Sequence, residues 1–156
     1  MTDQIVDWID IEFDRHLGDA RLRQAWAQAF GLVPEAVVVI DDITEAKPWA
    51  EAATRIVLER RIQPGDFPLH VTAYVRGSDL IEQVATRHQS LGMVQRLCDE
   101  LACRALLPTE AIDPYEWLLI TPMGNPVVVR VDPERLDDEN AFVITSRQKH
   151  GRQQAA

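Results

Sequence analysis

Ten residues near the middle of the chain constrain its architecture more than any other stretch: Phe67, Leu69, Val71, Ala73 and Val75 alternate with Pro68, His70, Thr72, Tyr74 and Arg76. Successive side chains of a strand point to opposite faces, so a period of two kept over this length means a strand with one apolar and one polar face. Upstream, Ile56 and Leu58 share a face of a first arm. Between the arms, Gln63-Pro64-Gly65-Asp66 has type II turn chemistry: proline presets φ and glycine accepts the positive φ that follows. The pair predicts a hairpin whose apolar face must be covered by something else in the chain.

The cover is expected from two helices. Asp19 is placed to cap a helix with the stripe Leu22, Ala25, Trp26, Ala29 and Phe30, and Gly31 suits a left-handed end. A longer helix is predicted from Ser78 or Asp79, with Asp79 and Glu82 at capping-box spacing, to about Cys103. Its stripe is Leu80, Ile81, Val84, Leu91, Val94, Leu97, Cys98 and Leu101. The opening segment, where Ile9, Ile11 and Phe13 alternate with Asp10, Glu12 and Asp14, is read as a strand whose acids share a solvated face. A helix with Ile5, Ile9 and Phe13 on one stripe is the competitor.

Further strands are expected at 36–40, 105–107, 117–121, 127–131 and about 142–144, with a short helix at Pro48–Ala53 and a charged turn at 132–139. This order predicts an α+β two-layer sandwich, a mainly antiparallel sheet covered by two helices. Its nearest simple template is a ferredoxin-like split β-α-β unit with extra C-terminal strands. The 156 residues suit one domain, residues 1–146, followed by a polar tail, 147–156, that has nothing to bury.

Chemistry-bearing motifs are sparse. The histidines at 16, 70, 88 and 150 include no pair spaced to aim two imidazoles at one ion, and no phosphate-cradling glycine loop or nucleophile elbow occurs, so neither metal nor cofactor is expected. His88 is read as a core or boundary residue. Cys98 falls on the helix stripe and Cys103 is expected turned away from it; two cysteines make no disulfide framework. The adjacent acids Asp41–Asp42 and Asp137–Asp138 are read as solvated loops rather than as an acid and base pair.

With 25 acids against 16 bases the net charge is −9, and residues 1–50 carry −6 of it. That sign disfavours direct nucleic-acid binding. No apolar run approaches the roughly 18 residues of a membrane span, and Met1-Thr2-Asp3-Gln4 lacks a signal peptide's basic start, so a soluble, cytoplasmic protein is expected. Two surfaces stand out. One is the acidic connection Asp41, Asp42, Glu45 with Trp49, an aromatic without an obvious core partner. The other is the polar strand face His70, Thr72, Tyr74 and Arg76. The resulting expectation is a small, acidic, bacterial-type protein-binding module, most concretely an immunity-type or inhibitor protein docking on a basic partner, with an open sheet face that also suits a second copy of the chain. The competing readings are a small-ligand sensor and a small enzyme using His70 or His88 with a nearby acid.

Overall fold

The computed structural model describes residues 6–41 and 51–147. Its eight strands are β1 (Val6–Phe13), β2 (Val37–Ile40), β3 (Ile56–Ile62), β4 (Leu69–Arg76), β5 (Ala105–Pro108), β6 (Glu116–Ile120), β7 (Val127–Val131) and β8 (Ile144–Arg147). They form one sheet in the order β2-β3-β4-β1-β5-β6-β7-β8. Only β2 and β3 run parallel; every other pairing is antiparallel. The fold is thus an α+β sandwich. The order β3-β4-β1-β5 is that of two interleaved split β-α-β units, and likeness to the ferredoxin template stops there, because β2 and the meander β6–β8 have no place in it.

Helices α1 (Asp19–Phe30) and α3 (Arg87–Leu101) cover one face. Beneath them Ile11, Phe13, Leu58, Leu69, Val71 and Ala73 meet Leu22, Trp26, Val94 and Leu97 in the main core. The period-two reading of β1 and β4 therefore holds, and Gly31 ends α1 in the left-handed conformation at φ 69°. Asp19 does not cap α1: Gly18 occupies the N-cap, and Asp19 pairs with Arg60 at 2.5 Å.

The predicted long helix is two helices. A single turn, α2 (Ser78–Ile81), is separated from α3 by residues 82–86. Thr86 starts α3 with a reciprocal capping box to Gln89, satisfying amides that a continuous helix would have bonded internally. Asp79 pairs with Arg55 at 2.6 Å instead of boxing with Glu82. His88, expected in a core or boundary, is exposed. Cys103 is buried next to Cys98 because Ala102 turns left-handed at φ 53° and folds the chain back. The charged run 132–139 is a helix, α4 (Pro133–Glu139), capped by Asp132, whose carboxylate accepts from the Glu134 and Arg135 amides. The last strand begins at Ile144 and runs to Arg147, two residues later than expected and into the start of the expected tail.

A second, smaller core lies on the face away from α1 and α3: Phe67, Leu106, Leu119, Val129, Val131 and Phe142. It exists because the sheet rolls. The turn between β3 and β4 reaches the segment before β8, where Gly65 bridges Phe142 and the Asp66 amide donates to the Phe142 carbonyl at 2.9 Å. Gly65 sits at φ 99°, and a Cβ there would lie 2.8 Å from the Phe142 nitrogen, so the closure requires glycine.

Candidate functional site

Register decides which polar residues meet on the rolled face. Trp8 lies opposite Tyr74, Asp10 opposite Thr72 and Glu12 opposite His70 across β1 and β4, while β3 sets Val57, Glu59 and Arg61 opposite Tyr74, Thr72 and His70. Where the meander curls over, Asp10, Glu12, Arg61, Gln63, His70 and Thr72 floor a concavity of about 430 Å³ walled by Pro108, Trp117, Asn140 and Phe142. Trp117 packs edge-on against Phe142 with ring centroids 4.8 Å apart.

The centre is one connected network. His70 Nδ1 donates to both oxygens of Glu12 at 2.8 Å, and Nε2 lies 3.1 Å from Thr72 Oγ1 and 3.2 Å from Asp10 Oδ1. Thr72 Oγ1 donates to Asp10 Oδ1 at 2.6 Å. Gln63 Nε2 donates to Glu12 Oε1 at 2.7 Å and to the Phe67 carbonyl, and Asn140 Nδ2 reaches Gln63 Oε1 at 3.4 Å. Glu12 is 3% exposed, so the expectation of a solvated acidic face on β1 fails there: the rolled sheet buries it and the imidazole neutralises it. Asp14 is also largely withdrawn from water, held by Arg104 at 2.8 Å.

Burial alone would lower the His70 pKa, but hydrogen bonds to Asp10 and Glu12 and the charge of Glu12 outweigh it and raise it from 6.5 to about 9. The hydrogen bond from His70 in turn holds the Asp10 carboxyl below its usual range. At neutral pH His70 is therefore an imidazolium clamped between two carboxylates, with Arg61 nearby. Because its folded pKa is raised, its contribution to stability is complete below about pH 6.5 and is lost as pH rises through about 9. Urea midpoints of the native chain should fall over that window, and those of His70→Gln should not; equal slopes would show that His70 is not protonated in the fold.

Of the residues singled out from sequence, His70 and Thr72 join this network. Tyr74 donates to Glu59 at 3.3 Å, and burial first, then that carboxylate, raises its pKa. Arg76 is a clamp: its guanidinium donates to the carbonyls of Glu51, Ala52 and Thr54, fixing the approach to β3. Asp42, Glu45 and Trp49 lie outside the described residues. Asp41 is exposed in a depression it shares with Asp19, Arg60 and Arg61, so acid there is matched by cation. Trp8 was missed. It is 63% exposed, beside Asp7 and in the same cross-strand row as Tyr74; its place on the period-two polar face of β1 was the readable signal.

Among the described residues no group of three or more His, Cys, Asp or Glu is arranged to hold a metal ion, and no helix is long and apolar enough to cross a membrane. Comparison of the chain with protein-family models, curated proteins and solved structures finds no match.

Proposed function

We propose that this protein is a binding module of the immunity or inhibitor type, which docks on a basic protein partner through the rolled face of its sheet. One observation carries the reading: a large aromatic, Trp8, stands 63% exposed on that face in register with Tyr74. Tryptophan and tyrosine on a rigid floor are the side chains that most often anchor protein interfaces. Asp7 flanks Trp8, Asp10 follows it on the same face, and the excess of acid over the whole chain would draw in a basic surface and speed encounter.

The enzyme reading gains less support. His70 does sit in a concavity with acids, but a pKa near 9 leaves no lone pair free at neutral pH for a general base and makes a poor proton donor. Exposed His88 has no such setting.

A pull-down from native cell extract at low and high salt should capture the partner more strongly at low salt. With that partner, Trp8→Ala should speed dissociation and cost about 2 kcal/mol or more, roughly thirtyfold in affinity. Asp7→Asn combined with Glu110→Gln should slow association and flatten its salt dependence. If Trp8→Ala is silent while Asp41→Asn, Asp42→Asn and Trp49→Ala weaken binding, the acidic connection and not the sheet face is the contact.

A further inference from the structure

The β1 ladder is complete on one side only. All eight residues of β1 pair with β4, whereas β5 pairs only with Glu12 and Phe13, continued by the Asp14 amide donating to the Arg104 carbonyl at 3.0 Å. From Val6 to Ile11 this interior strand has no β5 residue beside it. Peptide groups alternate in direction along a strand. Since the Asp14 amide points toward β5, those of Glu12, Asp10 and Trp8 do as well. The Arg76 amide, which donates to Arg55 at 2.9 Å, gives the matching parity on β4. The edge of Trp8 and Asp10 thus opens into the sheet, and the Trp8 amide is occupied by the carboxylate of its own neighbour Asp7 at 2.8 Å.

The gap has a cause and a shape. β5 ends at Pro108, which has no N–H to offer, and β5 follows β6 into the roll along its whole length. What remains is a cleft of about 420 Å³ between Trp8–Asp10 on one side, Val84 and Thr86 behind, and Leu107 and Glu110 on the other. Among the described residues that line it the one arginine, Arg87, donates to the Pro108 carbonyl and so braces the end of β5. Asp10 and Glu110 remain as its acids, with an apolar wall between them.

We propose that this gap is a strand-addition site, taking an extended lysine- or arginine-bearing segment of the partner as a short strand against Trp8–Asp10. This rests on the binding-module reading and specifies how the partner engages: main-chain bonds to β1, an apolar side chain on Val84 and Leu107, and basic side chains toward Asp10 and Glu110. The Asp7 carboxylate, which guards the edge in the free protein, gives up the Trp8 amide when the segment enters.

The probe is the capped hexapeptide Lys-Val-Lys-Val-Lys-Val, added to the full chain with amide hydrogen exchange read by NMR. Binding should slow exchange of the Asp10 amide by about tenfold, the worth of one hydrogen bond, and shift Trp8 and Leu107 resonances. Proline at the peptide's fourth position should abolish binding, as should Ala85→Trp, which fills the cleft from its solvent side without touching the core. No binding up to about 1 mM, unchanged Asp10 exchange at saturation, or indifference to the proline would overturn the proposal. So would Asp10 protection that rises with protein concentration alone, which would make a second copy the occupant. A captured partner that is sensitive to Trp8→Ala but leaves Asp10 unprotected would sink strand addition while sparing the module reading. One that protects Asp10 yet ignores Trp8→Ala would leave strand addition standing and remove Trp8 as the anchor of the contact.

Discussion

His70→Ala should destabilise the protein by about 3 to 5 kcal/mol in urea unfolding near pH 6, because it removes the cation from a carboxylate buried under the rolled sheet. Glu12 is 3% exposed and Gln63 alone would remain to bond it. The loss should not be read as the worth of the pair. Putting two charges into that position already costs much of what their attraction returns, so the double change Glu12→Leu with His70→Leu, which replaces the pair by apolar volume, should recover most of the stability. A double variant as unstable as His70→Ala would mean that the network contributes net stability and is not merely costly to break. A single variant with no effect would mean that Glu12 reaches water.

Leu97→Ala should cost about 2 to 5 kcal/mol. Leu97 is fully buried on α3 among the side chains that pack the helices onto the sheet. Gln95, two residues earlier, is the control. Its amide donates to Asp99 at 3.0 Å and to the Thr121 carbonyl at 2.8 Å, so Gln95→Ala should cost only about 1 kcal/mol. Equal losses for the two in a denaturant titration would show that α3 is held by its polar ties and not by its apolar stripe.

Local patterns were readable and long-range meetings were not. The alternation on β4 and β1 and the cap at Gly31 depend on a few neighbouring residues, and each predicted its element. The break between α2 and α3 was hidden because Val84 and Leu91 continue a helical stripe across it, although Thr86 and Gln89 carry a capping box that could have marked it. Likewise Asp132-Pro133 is a helix start read as a turn. The site was half legible. His70, Thr72, Tyr74 and Arg76 do share a face, but what each does depends on a register that joins residues 58 apart for Glu12 and His70. The burial of Glu12 depends on a roll closed where Gly65 and Asp66 meet Phe142, 76 or more residues along the chain. No composition or periodicity encodes either.

The meeting of Gly65 with Phe142 also bears on how the molecule comes apart. The meander β6–β8 is built from neighbouring strands and on its own would be a separable unit, able to fray while the rest stays folded. The bridge, the Asp66 amide on the Phe142 carbonyl and the Gln63–Asn140 contact tie it to the first half of the chain. Detaching it would also admit water to the Glu12 carboxylate. A partial opening at the C-terminal side therefore costs much of what full unfolding costs, so the two halves should melt in a single cooperative transition, with a folding rate slowed by the long loop that must close before the bridge can form.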